Sequence, residues 1–355
     1  MLRNMSKSLL VIISPGFPAD ESDSACLPLQ QALVLALNKA YPEMEIVIMA
    51  FHYPFTGKPY RWHNNQVIPL NGRNRGGLHK RLCGIRGWRI LKQITRNRKT
   101  TGVLSFWVKE CAIIGHVLAR RQPFKHLAWI LGQDAKAGNR QAQSLKNYPE
   151  ELVALSDFIA TEFNKNYHAL PAYIVPPGID PDIFPQGNKE KDIDILAVGS
   201  LIPLKQIDTL INVVQKLVPS FPSLKAVICG EGTERNKLLR QIKQHCLEQH
   251  IELVGEKKYS EVLLLMQRSK LLIHPSAYEG FGMVCLEALY AGAHVISFCR
   301  PQQAWIRHWH YADNEEEMID ISASLLGADK IDHQPVLAYH IKDTAREFIR
   351  LFHSK

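Results

Sequence analysis

Apolar positions along this chain gather into short unbroken runs separated by stretches of helical spacing. In the first half, residues 8–13, 45–50 and 126–131 are apolar runs of strand length, bounded by turn residues, and read as buried strands. After the first of these comes a loop over residues 14–28, and then Leu29, Ala32, Leu33, Ala36 and Leu37 recur on one helical face. Residues 103–119 also carry helical spacing, and residues 151–163 read as a strand followed by a helix. The second half is more regular. Residues 193–199, 224–230, 251–255, 270–274 and 294–298 are five apolar runs, and between the first two Ile207, Leu210, Ile211, Val214, Leu217 and Val218 share a helical face. Alternation of strand and helix predicts an α/β protein with doubly wound parallel sheets. The polar run Gln186 to Lys191 reads as the linker between two domains.

The 355 residues suffice for two domains that each bury a core, and an apolar share of 46% excludes bulk disorder. No apolar run reaches the ~18–20 residues of a membrane-spanning helix. Leu9 to Ile13 is too short for the core of a secretion signal and is followed by Ser14, Pro15 and Gly16. The seven cysteines form no close pairs in sequence, which argues against a zinc site and a disulfide framework and favours a reducing cytosol. Charge is uneven. Residues 1–176 hold 23 Lys or Arg against 11 Asp or Glu, and from Ile46 to Lys109 there are 13 basic residues and no acid. Ten of these, from Arg73 to Lys99, are interleaved with Leu82, Ile85, Trp88, Ile90, Leu91 and Ile94. A basic amphipathic segment of this kind suits an anionic lipid surface, and clustered Lys and Arg also attract nucleic acid. The expectation taken forward is a membrane surface and not nucleic acid.

Chemistry concentrates in the segment Pro275 to Ala288, where Glu279 and Glu287 lie eight residues apart. A strand-like run ends at Pro275, Gly280 and Gly282 allow a tight turn, and residues 283–290 read as a helix. The start of such a helix presents unpaired N–H groups and a positive dipole end, an anion site. Eight residues span about 12 Å, roughly the reach from a hexose across a diphosphate to a ribose. Gly199 and Ser200 lie at the end of another strand run, and carboxyl ends of strands are where ligands bind in such sheets. Two Asp-x-Asp triplets, at Asp180 and Asp182 and at Asp192 and Asp194, suit turns and caps better than a metal. His308 and His310 form a local cluster without a further evident ligand.

Residues 172–292 resemble the C-terminal half of the family-4 retaining glycosyltransferases. The resemblance rests on Tyr173-Ile174-Val175-Pro176-Pro177-Gly178-Ile179-Asp180, on Ile195-Leu196-Ala197-Val198-Gly199-Ser200-Leu201 with Lys205, on Cys229-Gly230-Glu231-Gly232, and on the two-glutamate segment, in that order. It implies a GT-B architecture: two Rossmann-like domains, residues 1–176 and 177–335, facing a cleft, with residues 336–355 packing back on the first. It implies metal-independent transfer, with retention, from a nucleoside-diphosphate sugar to a glycan or lipid-linked acceptor in cell-surface polysaccharide or lipopolysaccharide synthesis. No cofactor is implied, and the enzyme would lie in the cytoplasm, peripheral on the inner membrane face. In that scheme Lys205 and Glu279 are catalytic, the lysine stabilising the departing diphosphate. Gly199, Ser200, Gly280, Phe281, Gly282 and Glu287 bind the donor, as does Gly16 from the first domain, and Asp134 is an acceptor-side candidate, although an aspartate after an apolar run more often forms a turn. The family's usual arginine is replaced by Ser200, and Gln133 stands where many relatives have a histidine. An epimerase or phosphorylase on the same fold, or a non-catalytic binding protein, would share much of the pattern.

Overall fold

The computed structural model describes residues 8–23, 26–187 and 190–354. The chain divides into two compact units, Met1–Gly178 with Ile341–Lys355, and Ile179–His340. Gln186 to Lys191 therefore lies inside the second unit and not between the two, and its residues 188 and 189 are outside the described residues.

The first unit is built on strands β1 (Leu9–Gly16), β2 (Glu45–Tyr53), β3 (Tyr60–Trp62), β4 (Asn65–Pro69), β5 (Thr100–Phe106), β6 (Lys125–Ile130), β7 (Leu152–Ala154) and β8 (Tyr173–Ile174). Their order is β3-β4-β2-β1-β5-β6-β7-β8, parallel throughout except for the β3–β4 pair. Helices α1 (Pro28–Ala40), α2 (Gly77–Thr95), α3 (Glu110–Ala119), α4 (Arg140–Leu145) and α5 (Asp157–Tyr167) connect the strands. Leu9 to Ile13 are completely buried, as a central parallel strand covered on both faces requires.

Residues 103–119, expected to be helical, divide into β5 and α3, with Trp107 at a positive φ of 63° between them. A strand buried on both faces shows no alternation, so its apolar residues run on into those of the helix. Beneath α3 the fully buried His126 bonds Ser105 Oγ at 3.0 Å and also contacts Glu151, which bonds His116 at 2.8 Å. This has the order of a hydrolytic triad, yet Ser105 is 0% exposed and can reach no substrate.

The second unit holds a six-stranded parallel sheet: β9 (Ile193–Val198), β10 (Ala226–Cys229), β11 (Ile251–Gly255), β12 (Ser269–His274), β13 (His294–Ser297) and β14 (Trp309–Tyr311), in the order β11-β10-β9-β12-β13-β14. Its helices are α6 (Ile207–Leu217), α7 (Arg235–Gln244), α8 (Tyr259–Arg268), α9 (Met283–Tyr290) and α10 (Glu315–Leu326). Ile207, Leu210, Ile211, Val214 and Leu217 of α6 are buried on the sheet, the face that their spacing predicts. The chain leaves β9 through α6 toward β10, and leaves β12 through α9 toward β13. Connections therefore diverge between the adjacent strands β9 and β12, and a crevice at their carboxyl ends follows from the topology.

Residues 336–340 stay with this second unit: Val336 N–H donates to Leu289 O at 3.0 Å, and Ile179 N–H to Tyr339 O at 3.1 Å. Of the residues 336–355 expected to pack on the first domain, only those from Ile341 do so. Helix α11 (Ile341–His353) belongs to the first unit, where Phe348 meets Trp129 edge-on at 5.0 Å and Thr344 Oγ1 donates to Pro176 O at 3.0 Å.

Gly102 of β5 lies directly under Phe352 of α11, and a Cβ there would come within 2.2 Å of that ring. Gly102→Ala is expected to cost about 1–3 kcal/mol through overpacking, seen as a lower melting temperature. An unchanged melting temperature would mean that α11 is not seated on β5.

Candidate functional site

Two loops meet where the sheet connections diverge. The first follows β9 and comprises Gly199 to Ile202, then a short 3-10 turn, Pro203–Lys205. The second follows β12 and runs from Pro275 to the N-cap of α9 at Gly282. They are tied together: Ala277 N–H donates to Leu204 O at 3.0 Å and Ser276 Oγ to the same carbonyl at 3.2 Å. The first loop is fixed from behind by the glycine turn after β10. Leu201 N–H donates to Glu231 O at 2.8 Å, and a Cβ on Gly230 would fall 1.9 Å from Gly199 O. No other residue fits at Gly230, so this turn serves as the backing of the loop.

Across the crevice, Lys205 Nζ pairs with Glu279 Oε1, and His274 Nε2 bonds the same oxygen at 3.0 Å. Burial pushes the Glu279 carboxyl up, but the His274 hydrogen bond and charge, with the Lys205 ammonium, outweigh it and hold the group at about 2. The carboxylate is thus charged across the physiological range, with 17% of its side chain exposed. His274 is the last residue of β12, five before Glu279, and sequence reading passed over it.

Gly282 takes φ 85° as it enters α9, a left-handed conformation that favours glycine. The Cys285 N–H turns back onto Gly282 O at 2.9 Å, and the N–H groups of Met283 and Val284 begin the helix, where no preceding turn supplies an intrahelical acceptor. Phe281 points the other way. It is 1% exposed and packs against Trp309 and Tyr339, so its side chain anchors the loop and only its backbone faces the turn.

Glu287, on the second turn of α9, is buried, and Tyr259 OH at the start of α8 donates to its Oε1 at 2.7 Å. Burial raises this carboxyl to about 7, against the small lowering effect of the Tyr259 bond. The two acids therefore differ: Glu279 is a paired anion, and Glu287 is a largely apolar-site acid. Tyr259 lies 28 residues before Glu287, and no local pattern could have joined them.

The first unit holds the remaining two expected residues. Gly16 ends β1, packed against Tyr53. Asp134 is wholly buried after β6, where its carboxylate accepts the N–H of Val108 at 2.8 Å, of Leu131 at 3.1 Å and of Gly132 at 2.9 Å. Its oxygens are spent on the turn, so the acceptor-side assignment is withdrawn.

The Asp-x-Asp triplets likewise have structural partners. Asp180 accepts from Asp182 N–H at 3.1 Å, Asp192 pairs with Arg268, and Asp194 bonds Lys270 at 2.7 Å. The cysteines are free thiols, as their sequence spacing predicts, but Cys285 and Cys299, 14 residues apart, come together beside His274, with their ligand atoms within 4.8 Å of one another. A hydrogen bond from the Cys285 thiol holds the Cys299 thiol below the usual thiol range.

Several known proteins are similar to this chain. Residues 179–304 match the family model "Glycosyl transferases group 1". The chain is 27% identical over 173 residues, 48% of its length, to the phosphatidylinositol N-acetylglucosaminyltransferase gpi3 subunit of Schizosaccharomyces pombe, covering 38% of that protein. It thus spans well under two thirds of that relative. Among solved structures, sucrose-phosphate synthase from Thermosynechococcus elongatus superposes with a TM-score of 0.68 at 15% identity, over 97% of this chain and 94% of that one. HepE of Anabaena, in complex with UDP and glucose, superposes with 0.65 at 13% identity, over 97% and 95%. The architecture is GT-B, two parallel-sheet α/β domains.

The raised carboxyl gives a pH test. Glu287 has a folded-state value of about 7 against an ordinary 4.5, so its contribution to stability is complete below about pH 4.5 and is lost as the pH rises through 7. The stability of Glu287→Gln relative to the wild type should therefore rise by on the order of 2–3 kcal/mol between those limits. Parallel melting curves for the two proteins over that range would show an ordinary carboxyl.

Proposed function

From the premise that residues 179–304 are a glycosyl transferases group 1 domain, we propose that this chain is a retaining, metal-independent glycosyltransferase. It moves a sugar from a nucleoside-diphosphate sugar to a glycan or lipid-linked acceptor in cell-surface glycan synthesis. The observation that carries the reading is the Lys205–Glu279–His274 group at the divergence of β9 and β12, beside the N-terminus of α9. HepE, which superposes over 97% of this chain, was solved with UDP and glucose, and this supports a donor of the same class.

The chain's own groups account for the chemistry. A diphosphate laid over Gly282 meets the first N–H groups of α9 and the helix dipole. Lys205 then exchanges Glu279 for phosphate and stabilises the negative charge that grows on the leaving group. Released from the lysine, Glu279 keeps its His274 bond on Oε1 and offers Oε2 to a hydroxyl of the transferred sugar, close to where positive charge develops on the ring. Glu287 receives the ribose hydroxyls, with Tyr259 holding its other face. Before a donor binds, Lys205 and Glu279 satisfy each other, so neither charge is left unpaired.

Lys205→Ala and Glu279→Gln should each lower kcat/KM by roughly 100–1,000-fold, measured with a panel of nucleoside-diphosphate sugars by product analysis. Lys205→Ala should also weaken binding of the free nucleoside diphosphate in calorimetry. Transfer with an inverted anomer, or product formed without an acceptor, would point to another reaction on this fold. Wild-type binding of none of the donors would end the proposal.

We place the acceptor at an anionic bilayer. Cys83, Gly87, Leu91 and Thr95 are the buried stripe of α2, while Leu78, Leu82 and Ile85 on its outer side are 72%, 56% and 50% exposed. Arg73, Arg75, Arg81, Arg86 and Arg89 are exposed around them. Apolar side chains ringed by arginine suit the interface of an anionic leaflet. Among the described residues no helix is long and apolar enough to cross a membrane. Co-sedimentation with phosphatidylserine vesicles is expected, falling at high salt and in the Leu78→Ser/Leu82→Ser/Ile85→Ser variant. Equal sedimentation of variant and wild type would remove α2 as the contact.

A further inference from the structure

The cysteine pair under the α9 turn has no part in the transfer chemistry above. Cys285 lies in the first turn of α9 and Cys299 follows β13. Their sulfurs and a ring nitrogen of His274, at the end of β12, all lie within 4.8 Å of one another. Three separate elements thus deliver two thiols and an imidazole to one point. Both sulfurs also stand on one side of Gly282: a Cβ there would be 3.3 Å from the Cys285 sulfur and 3.7 Å from the Cys299 sulfur.

We propose that His274, Cys285 and Cys299 form a site for a thiophilic divalent cation of the zinc type, directly beneath the turn that begins α9. Two thiolates and an imidazole are the soft and borderline ligands that select such a cation. Three protein ligands leave a tetrahedral ion one open position. The supports are already fixed. Cys285 is held by its helix and His274 by the sheet. The Cys299 carbonyl accepts from Ser297 Oγ at 2.8 Å, and Ser297 in turn accepts from the Trp309 indole N–H at 2.9 Å. Cys285 is fully buried and Cys299 only partly, so an ion would enter past Cys299. Binding displaces one proton from each thiol.

The site shares His274 with Glu279, which bonds its Nε2 at 3.0 Å. A bound cation therefore bears on the catalytic carboxylate, and zinc should inhibit transfer. That consequence rests on the proposed activity, while the site itself does not.

The test is titration of the reduced full chain with Co2+, followed by displacement with Zn2+. One cobalt per chain is expected, with the thiolate-to-cobalt charge-transfer band in the near ultraviolet. Cys285→Ser and Cys299→Ser should each weaken binding by roughly 100-fold or more, beyond the loss of supporting contacts alone. Cys246→Ser, at the exposed cysteine, should keep the band. Zinc should raise the melting temperature of the wild type and not of a Cys299 variant, which guards against a misfolded variant. The histidines His294, His308 and His310, stacked elsewhere in the same unit, would give cobalt binding without a thiolate band. No charge-transfer band in the reduced wild type, or a band that survives the Cys285→Ser/Cys299→Ser double substitution, overturns the proposal. Transfer that zinc leaves uninhibited, with the band intact, would sever the site from Glu279 and leave both the transfer reading and the cation site standing; absence of transfer with the band intact would count against the transfer reading alone.

Discussion

The constraint on which the second unit turns is the sharing of one carboxylate oxygen, Glu279 Oε1, between Lys205 and His274. Two loops leave adjacent strands in opposite directions, and each would be free to drift without a tie. The backbone bond from Ala277 to Leu204 holds their stems, and the ion pair closes their tips. A paired charge in a place with little solvent contributes little net stability, because desolvation offsets attraction. Its value is positional: it holds a cation and an anion at fixed points at the divergence of β9 and β12.

Around that point, each remaining feature has a mechanical reason. Gly230 is required by the close approach of its turn to Gly199 O. Phe281 is required as a buried anchor, with Trp309 and Tyr339 around it. Tyr259 supplies the partner that keeps the Glu287 carboxyl fixed in an apolar setting. The two glutamates, alike in sequence, are thereby given opposite electrostatic characters by their surroundings.

Much of this was legible in the residues. The helix at residues 283–290 and the strands around it follow from apolar spacing and glycine placement, and β12 and α9 lie where that pattern puts them. Lys205 and Glu279, separated by 74 residues, were both picked out and do meet. What escaped was whatever depends on a third dimension without a local signature. His274 reads as an ordinary strand end until Glu279 folds back onto it. Cys285 and Cys299 are unrelated in sequence and neighbours only because α9 and β13 begin and end side by side. Asp134 could be read as a cleft acid or as a turn-forming aspartate, and its three backbone partners settle it as a turn brace. The strand β5 was absorbed into a helix because burial on both faces erases the alternation that marks a strand.

The central claim is that a sugar diphosphate settles over the start of α9 and takes Lys205 away from Glu279. A crystal structure with a bound nucleoside diphosphate measures this most directly. The account predicts phosphate oxygens within hydrogen-bond reach of the Met283 and Val284 N–H groups, with the Lys205 ammonium turned to them and the ribose against Glu287. Nucleotide bound away from the β9–β12 divergence, or a Lys205–Glu279 pair left intact beside it, would contradict it.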